Sequence, residues 1–377
     1  MLRVRGGLFC AHLPRPVTLF GIMHLVVIFA LTLTALLPGF GQTAANAKPV
    51  PTKDPRELLA SVAPFYDFSS PELKPWHMKA TYQLYDLKGN PTEQGTWEYW
   101  WASPKVHRST WTRAGAEYTS WSTSEGAPFH KESGNPLRYF ERNISELLLS
   151  PLPARGVLDS GRMKLALKML PPGKPELACV VTTLQWLVDG KLQAPSSGMD
   201  SYYCLDPATL ALRMTYSHEL TIQFSEIVKT QDRYLARQIV VTENKQKLFS
   251  ASVQIIERVQ PADAMFVPPA DATLERLVPS PLGDSQGSVA MGSLVKATTP
   301  VYPSFSKTVH EQGVVVLVAR IGTDGKIHDL EVLGSPSPLL AESAVDSVKK
   351  WEYKPSLMNG VPVEVDIIVK VTFNLDR

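Results

Sequence analysis

The chain has 377 residues, with 38 Lys and Arg against 36 Asp and Glu, and 44% of the residues are hydrophobic. This length allows about two domains with cores of their own, and a net charge of +2 excludes a protein that coats nucleic acid, which needs a concentrated basic surface. The 31 Pro are an excess, whereas three Cys are too few for a scaffold built from disulfides.

The first 47 residues predict either a signal peptide or a membrane anchor. Basic residues precede an apolar run over residues 17–37, which is long enough to cross a bilayer. The small residues at 45–47 have the form of a signal-peptidase site, which favours cleavage instead. Both alternatives stay open, and both place the rest of the chain beyond the membrane.

The two cysteines after this segment, Cys179 and Cys204, lie in stretches that have strand patterns. In an oxidising compartment, such a pair is expected to form a disulfide. A metal site is the alternative, but neither Cys has a second Cys or a His at ligand spacing. The sequence therefore predicts a disulfide between Cys179 and Cys204.

Residues 54–270 are predicted to form an antiparallel β domain. A short helix begins after Asp54, and alternating apolar residues then predict a hairpin from residues 77–85 and 96–101. Further strand patterns follow to the end of the region, and residues 143–149 are the only other helix that we predict there.

Six of the eight Trp lie between positions 76 and 121. Trp97, Tyr99 and Trp101 share one face of a predicted strand, and Trp111 lies on the next. On a curved antiparallel sheet, these side chains can line a cavity for an acyl chain or another apolar ligand. The alternative is that they form the core between the sheet and the helix.

The same region resembles the periplasmic lipoprotein-carrier superfamily of LolA and LolB-like proteins. The resemblance rests on a short helix followed by hairpins, on residues 97–104 leading into Arg108, and on Phe-Val-Pro-Pro at 266–269 after the last strand. It implies an incomplete β-barrel that wraps around a helix. No nucleophile, metal or phosphate motif occurs along the chain, so we predict neither an enzyme nor a cofactor.

The end of the chain predicts a small domain with two helices and a three-stranded sheet. A short helix begins at Tyr302 and Pro303, and Gly313 is expected to end it. Two strands form a hairpin around the turn at Asp324 and Gly325.

A second helix follows this hairpin, and residues 363–375 then form one long final strand. The helix has apolar residues at helical spacing and ends near Trp351. The odd positions of the final strand are apolar. Its other face carries Glu364, Asp366, Ile368, Lys370 and Thr372.

The order and spacing of these elements resemble the C-terminal domain of the TonB energy-transducer family. The matching residues are Tyr302, Pro303, Gly313, Asp324, Gly325, Trp351 and Pro355. The resemblance implies a periplasmic domain that binds an extended segment of an outer-membrane receptor and transmits force from a proton-driven motor in the inner membrane. Here, however, a β domain replaces the long Pro-rich spacer of the familiar transducers.

A final strand at a sheet edge leaves main-chain N–H and C=O groups free, and an extended peptide can add to it by β-augmentation. The side chains predicted to tune which peptide docks are Glu364, Asp366, Ile368, Lys370 and Thr372. The alternative is that another part of the chain covers this strand.

These observations predict an α+β protein with boundaries at 1–47, 54–270, 271–299 for a linker, and 300–377. Its expected function is that of a TonB-family protein of the Gram-negative periplasm that supports energy-dependent transport across the outer membrane. The expected partners are an outer-membrane receptor or another envelope protein, and an inner-membrane motor complex. The alternative functions are a carrier of lipid or another apolar ligand, and an envelope assembly protein.

Overall fold

The computed structural model describes residues 54–124, 128–153, 155–159, 161, 163–169, 177–188, 191–193, 200–274, 289–290, 292–358 and 360–375. The predicted signal peptide or anchor at 1–47 and residues 275–288 of the predicted linker lie outside these ranges. Within them, every helix is too short or too polar to span a bilayer.

The helices of the described chain are short. They are α1 (Pro55–Val62), α2 (Tyr139–Arg142), α3 (Ile144–Leu149), α4 (Arg155–Asp159), α5 (Ser304–Thr308) and α6 (Pro338–Val348). Two 3₁₀ turns, Ala63–Tyr66 and Asp263–Phe266, accompany them.

The strands of the first half are β1 (Trp76–Tyr85), β2 (Pro91–Ser103), β3 (Val106–Arg113), β4 (Ala116–Ser122), β5 (Pro128–Ser133), β6 (Met163–Met169), β7 (Ala178–Leu184), β8 (Trp186–Val188), β9 (Lys191–Gln193), β10 (Asp200–Leu205) and β11 (Leu212–Ser217). Those of the second half are β12 (Leu220–Thr230), β13 (Arg233–Glu243), β14 (Gln246–Arg258), β15 (Thr273–Leu274), β16 (Val289–Ala290), β17 (Leu294–Lys296), β18 (Gly313–Ile321), β19 (Ile327–Gly334), β20 (Glu352–Tyr353), β21 (Ser356–Met358), β22 (Val361–Val363) and β23 (Val365–Phe373).

A large sheet dominates the middle of the described chain. Its thirteen strands have the order β15-β5-β4-β3-β2-β1-β14-β13-β12-β11-β10-β7-β6. The end strands β15 and β6 do not pair with each other in the described chain, so the sheet stays open. This curved, mainly antiparallel sheet with few helices confirms the predicted fold class.

Local capping chemistry explains the first elements of this domain. The Asp54 carboxylate accepts a hydrogen bond from the N–H of Arg56 (2.8 Å), with Pro55 at the first helical position. In the turn between β1 and β2, the Asp86 carboxylate accepts the N–H groups of Lys88 and Asn90 (2.9 and 2.8 Å). The structure thus confirms both the first helix and the predicted hairpin.

The middle domain contains two helices that the sequence pattern did not predict. Helix α3 confirms the helix at residues 143–149, but α2 and α4 make our expectation of a single further helix wrong. Both are too short to show apolar periodicity. Helix α2 is held instead by Glu141, whose carboxylate accepts the N–H of Arg138 at 2.8 Å.

The main core lies between one face of the large sheet and the helices that cross it. Leu59 of α1 and Ile144 of α3 are fully buried there, together with Trp97 and Phe249 of the sheet. The burial of such large apolar surfaces is the main stabilising contribution to this domain.

The predicted disulfide between Cys179 and Cys204 is confirmed. The two residues face each other on the neighbouring strands β7 and β10. Because the bond closes a loop with a sequence separation of 25, replacement of both cysteines by Ala should lower the free energy of unfolding by about 3 kcal/mol. Urea denaturation of the oxidised parent and of the double variant measures this difference. An unchanged midpoint would contradict it.

The C-terminal region forms the predicted three-stranded sheet and two helices. The strand order is β19-β18-β23, and α6 packs on one face of this sheet. The Ser337 hydroxyl caps α6 by accepting the N–H of Leu340 (3.3 Å). Leu340 and Val348 are then fully buried against Leu317 and Phe373 of the sheet.

Two boundary predictions in this region were wrong. Helix α5 ends at Thr308, the chain turns at His310, which has a φ of 56°, and Gly313 begins β18 instead of ending the helix. The long final strand is divided at Glu364, because β22 pairs with β21 whereas β23 pairs with β18. Apolar alternation continues through Glu364, which hid this break from the sequence pattern.

The predicted linker contributes strands to both domains. β15 joins the edge of the large sheet beside β5, whereas β16 and β17 pair with β21 and β20 of the C-terminal region. The domain boundaries that we placed at 271 and 299 stay predictions.

Candidate peptide-docking site

The outer edge of β23 has the backbone geometry that strand addition requires. β23 pairs through all of its residues with β18, and no other strand of the described chain pairs with it. The main-chain groups on its outer side therefore have no ladder partner among the described strands. β23 therefore lies at one edge of the small sheet, and its use as a docking edge stays a prediction.

The two faces of β23 have different surroundings. Val369, Val371 and Phe373 are buried in the small core beneath α6. The opposite face, which carries the predicted docking residues, is turned toward the middle domain, where Ile368 packs against the main core. Docking of a peptide would therefore involve the middle domain as well as this strand.

Ion pairs fix the charged residues of that face. The Asp366 carboxylate accepts two hydrogen bonds from Arg320 (2.9 and 3.0 Å) and lies 3.6 Å from the guanidinium of Arg142 on α2. Lys370 lies 3.1 Å from the Glu219 carboxylate, at the start of β12. These pairs connect the final strand to the middle domain through residues far away in sequence.

The remaining predicted docking residues have looser contacts. The Glu364 carboxylate lies 3.8 Å from the His328 ring, and Thr372 is exposed. Whether these five side chains tune peptide choice stays a prediction.

Two further contacts fasten β19 to the middle domain. The N–H of Tyr139 on α2 donates to the Glu331 carboxylate (2.7 Å). At the other end of the strand, a Cβ added to Gly334 would lie 1.8 Å from the Glu243 carboxylate, so only Gly allows this approach.

Glu243 is an unusual group for an interface between domains. It is 2% exposed, and its Oε1 has no hydrogen-bond partner in the described chain. Burial and, secondarily, the charge of Glu219 raise the pKa of this carboxyl from 4.5 to about 7. No sequence pattern indicated a buried acid here, because an acid at a strand end is usually solvated.

Comparison with protein families bears on the part of the chain that carries this edge strand. Residues 298–375 match the family described as the Gram-negative bacterial TonB protein C-terminal. They form a TonB C-terminal domain. The family to which it belongs is periplasmic and anchored in the inner membrane, and in general it interacts with outer-membrane receptors.

Solved structures similar to this chain include three of low identity. A DUF1329 family protein from Desulfovibrio piger is 14% identical, with 58% of this chain and 98% of that chain covered and a TM-score of 0.36. A LolA superfamily protein from Nitrosomonas europaea is 7% identical (56% and 97% covered, TM-score 0.32), and MucB is 11% identical (81% and 99% covered, TM-score 0.31). A comparison with curated protein sequences gives no match.

The motif residues of the TonB C-terminal domain shape its turns. Gly325 has a φ of +77°, and a Cβ there would lie 2.0 Å from the carbonyl oxygen of Tyr353. The Asp324 carboxylate accepts the N–H of Lys326 (3.0 Å), which lowers the pKa of Asp324. Gly313, with a φ of +142°, packs against Pro336.

The other motif residues hold the domain's ends together. The Tyr302 ring packs edge-on against Phe373 at 5.3 Å between ring centroids, and Pro303 precedes the first residue of α5. Trp351 donates from Nε1 to the carbonyl oxygen of Thr298 (3.0 Å), and Pro355 lies between β20 and β21. These residues therefore stabilise the fold of the TonB C-terminal domain and do not lie along the outer edge of β23.

The aromatic residues proposed as a ligand surface are part of the main core. Trp97 and Trp101 are 0% and 2% exposed, and Tyr99 packs against the same core. Trp97 donates from Nε1 to the Ser109 hydroxyl (3.1 Å), and Trp111 to the carbonyl oxygen of Glu141 (2.8 Å). An apolar ligand would have to displace this packing to reach them.

A buried charged cluster beside these aromatics was not predicted. The Glu141 carboxylate is fully buried, accepts the Tyr82 hydroxyl (2.6 Å) and lies 3.1 Å from Nε of Arg113. Burial and the hydrogen bond to Glu141 raise the pKa of Tyr82. The cluster fixes α2, which also carries Tyr139 and Arg142 at the contact with the TonB C-terminal domain.

Proposed function

We propose that this protein is a non-enzymatic, periplasmic member of the TonB family whose C-terminal domain docks an extended segment of an outer-membrane partner on β23. The observation that carries the proposal is the outer edge of β23, along which no described strand pairs, within a TonB C-terminal domain. Main-chain hydrogen bonds along this edge supply the affinity. By this docking, the protein supports energy-dependent transport across the outer membrane.

The contact between the two domains distinguishes this protein from a transducer with a flexible spacer. Val316 and Val318 of β18 are buried in the same core as the middle domain. A pull on the docked segment would thus be transmitted to the β domain as well as along the chain. Coupling to an inner-membrane motor is part of this proposal and depends on the segment at residues 1–47.

Hydrogen exchange of the full chain tests the docking edge. Addition of pooled synthetic peptides that cover the N-terminal segments of the cell's outer-membrane receptors should slow exchange of alternate amides in β23 by about tenfold or more, because the docked strand accepts their N–H groups. The opposite edge strand of the same sheet, β19, is the internal control and should not change. Protection of β19, or of neither strand, would contradict docking on β23.

The alternative function, a carrier of lipid or another apolar ligand, stays a prediction. It requires an apolar surface that opens, since Trp97, Trp101 and Trp111 are covered in this structure. The docking proposal requires no such rearrangement and is therefore preferred.

A further inference from the structure

The TonB C-terminal sheet lies over the large sheet. Its strands β19 and β23 follow the order of the strands β13 and β12 that they contact. At one end, Gly334 of β19 contacts Glu243 of β13, and Lys370 of β23 pairs with Glu219 at the start of β12. β13 and β12 are neighbours in the large sheet, and β11 and β10 come next. A strand added beyond the outer edge of β23 would therefore lie over β11 and β10 at this end.

Helix α2 gives the same order at the other end. The N–H of Tyr139 bonds Glu331 of β19, and one turn later Arg142 approaches Asp366 of β23. Another turn along the chain brings Glu146 of α3, which is exposed. A strand added beyond the outer edge of β23 would therefore lie beside Glu146 at this end.

Two serines of the large sheet lie beneath the position of a strand added beside β23. Ser217 of β11 pairs with the buried Leu220, so both side chains lie on the core-facing side of the sheet. The Ser201 hydroxyl of β10 lies 2.8 Å from that of Ser217, on the same side. Both serines are only partly buried, and they are therefore accessible at the rim of the core.

We propose that the middle domain forms the floor of the docking site, so that a bound segment occupies a fourth strand position between β23 and the rim defined by Glu146, Ser201 and Ser217. The inference rests on the proposed function and adds to it a second recognition surface. The occupant is an extended partner segment that presents alternate side chains to this floor.

The floor sets the chemistry of that segment. Small or hydroxyl-bearing side chains suit the end of the floor at Ser201 and Ser217, whose hydroxyls bond each other and, at Ser217, the His218 ring. At the other end, Glu146 forms no ion pair among those of the described chain, so a Lys or Arg of the partner complements it. The partner segment therefore carries a basic residue at the end that lies beside α3.

Steric variants of the full chain test this placement. Ser201→Trp fills the floor, whereas Ser225→Trp makes the same change on the exposed outer face of the large sheet, in β12, and is the matched control. Binding of the pooled receptor peptides is measured by fluorescence polarisation and by exchange of the β23 amides. Ser201→Trp should weaken binding by about tenfold or more, and the control by less than about twofold.

A second variant avoids the partly buried position. Glu146→Arg changes a residue whose side chain reaches solvent, although partial burial raises the pKa of its carboxyl, and it should weaken binding about tenfold through size and reversed charge. Both Ser201→Trp and Glu146→Arg could bind as the parent does, with β23 still protected. This result would contradict the proposed floor and would support docking on β23.

Two other outcomes bear on the proposal. If the parent binds none of the peptides, the result contradicts both the proposed function and the proposed floor. If the β23 amides are already protected in the free chain, a segment of the chain itself occupies the position, and an external partner is excluded from it.

Discussion

Replacement of Glu141 by Ala is expected to lower the free energy of unfolding by about 3 to 5 kcal/mol, the cost typical of breaking a buried ion pair by removal of one partner. The Glu141 side chain is fully buried, and the Arg113 side chain beside it is only 5% exposed. The Ala variant would leave the Tyr82 hydroxyl and Nε of Arg113 buried without their acceptor, whereas the other guanidinium nitrogens keep Glu93 and two carbonyl oxygens. Chemical denaturation followed by Trp fluorescence measures the loss.

Glu93 is the matched control for this variant. It also pairs with Arg113, but its side chain is 38% exposed. Glu93→Ala should therefore cost about 1 kcal/mol or less, as is usual for ion pairs that water reaches. Equal losses for the two variants would show that burial of Glu141 does not set its contribution.

The Glu141 variant should also loosen the contact between the domains. Helix α2 is anchored through Glu141, and its Tyr139 and Arg142 contact the TonB C-terminal sheet. Faster amide exchange in β19 and β23 than in β12 and β13 would show this loosening.

The elements that the sequence predicted are those with local signals. The hairpin of β1 and β2 follows from alternation around a turn, and α6 follows from apolar residues at helical spacing. The disulfide followed from two cysteines in a segment that was expected to be exported. Each of these inferences needs only neighbouring residues or a single pair.

The features that it missed depend on distant partners. Lys370 and Glu219 are 151 positions apart, and Tyr82 and Glu141 are 59 apart. The polar face of β23 therefore had the pattern of a solvent-facing or peptide-facing surface, although Ile368 on that face packs against the middle domain. Only the fold brings that domain to it, and no pattern within the strand indicates the contact.

The buried His107, whose pKa is lowered to about 4, stabilises the fold as the pH rises, whereas the contribution of Glu243 to the free energy of unfolding should fall by up to about 3 kcal/mol between about pH 4.5 and 7. The prediction concerns the Glu243 carboxyl. Its pKa is raised in the folded state, so folding favours the protonated carboxyl. Below pH 4.5 the group is protonated in both states and carries no penalty. Above pH 7 the folded protein must hold a buried carboxylate beside Glu219, and the penalty is complete.

The variant Glu243→Gln isolates this contribution, because it keeps the shape of the protonated acid and cannot ionise. Urea denaturation at pH 4.5, 6 and 7.5 should give similar stabilities for the two proteins at the lowest pH and a growing advantage of the variant above it. His218 and Glu219 lie beside the site and are present in both proteins, so the difference between the curves reports Glu243 together with its coupling to the charge of Glu219. Parallel curves would mean that the Glu243 carboxylate finds a compensating partner.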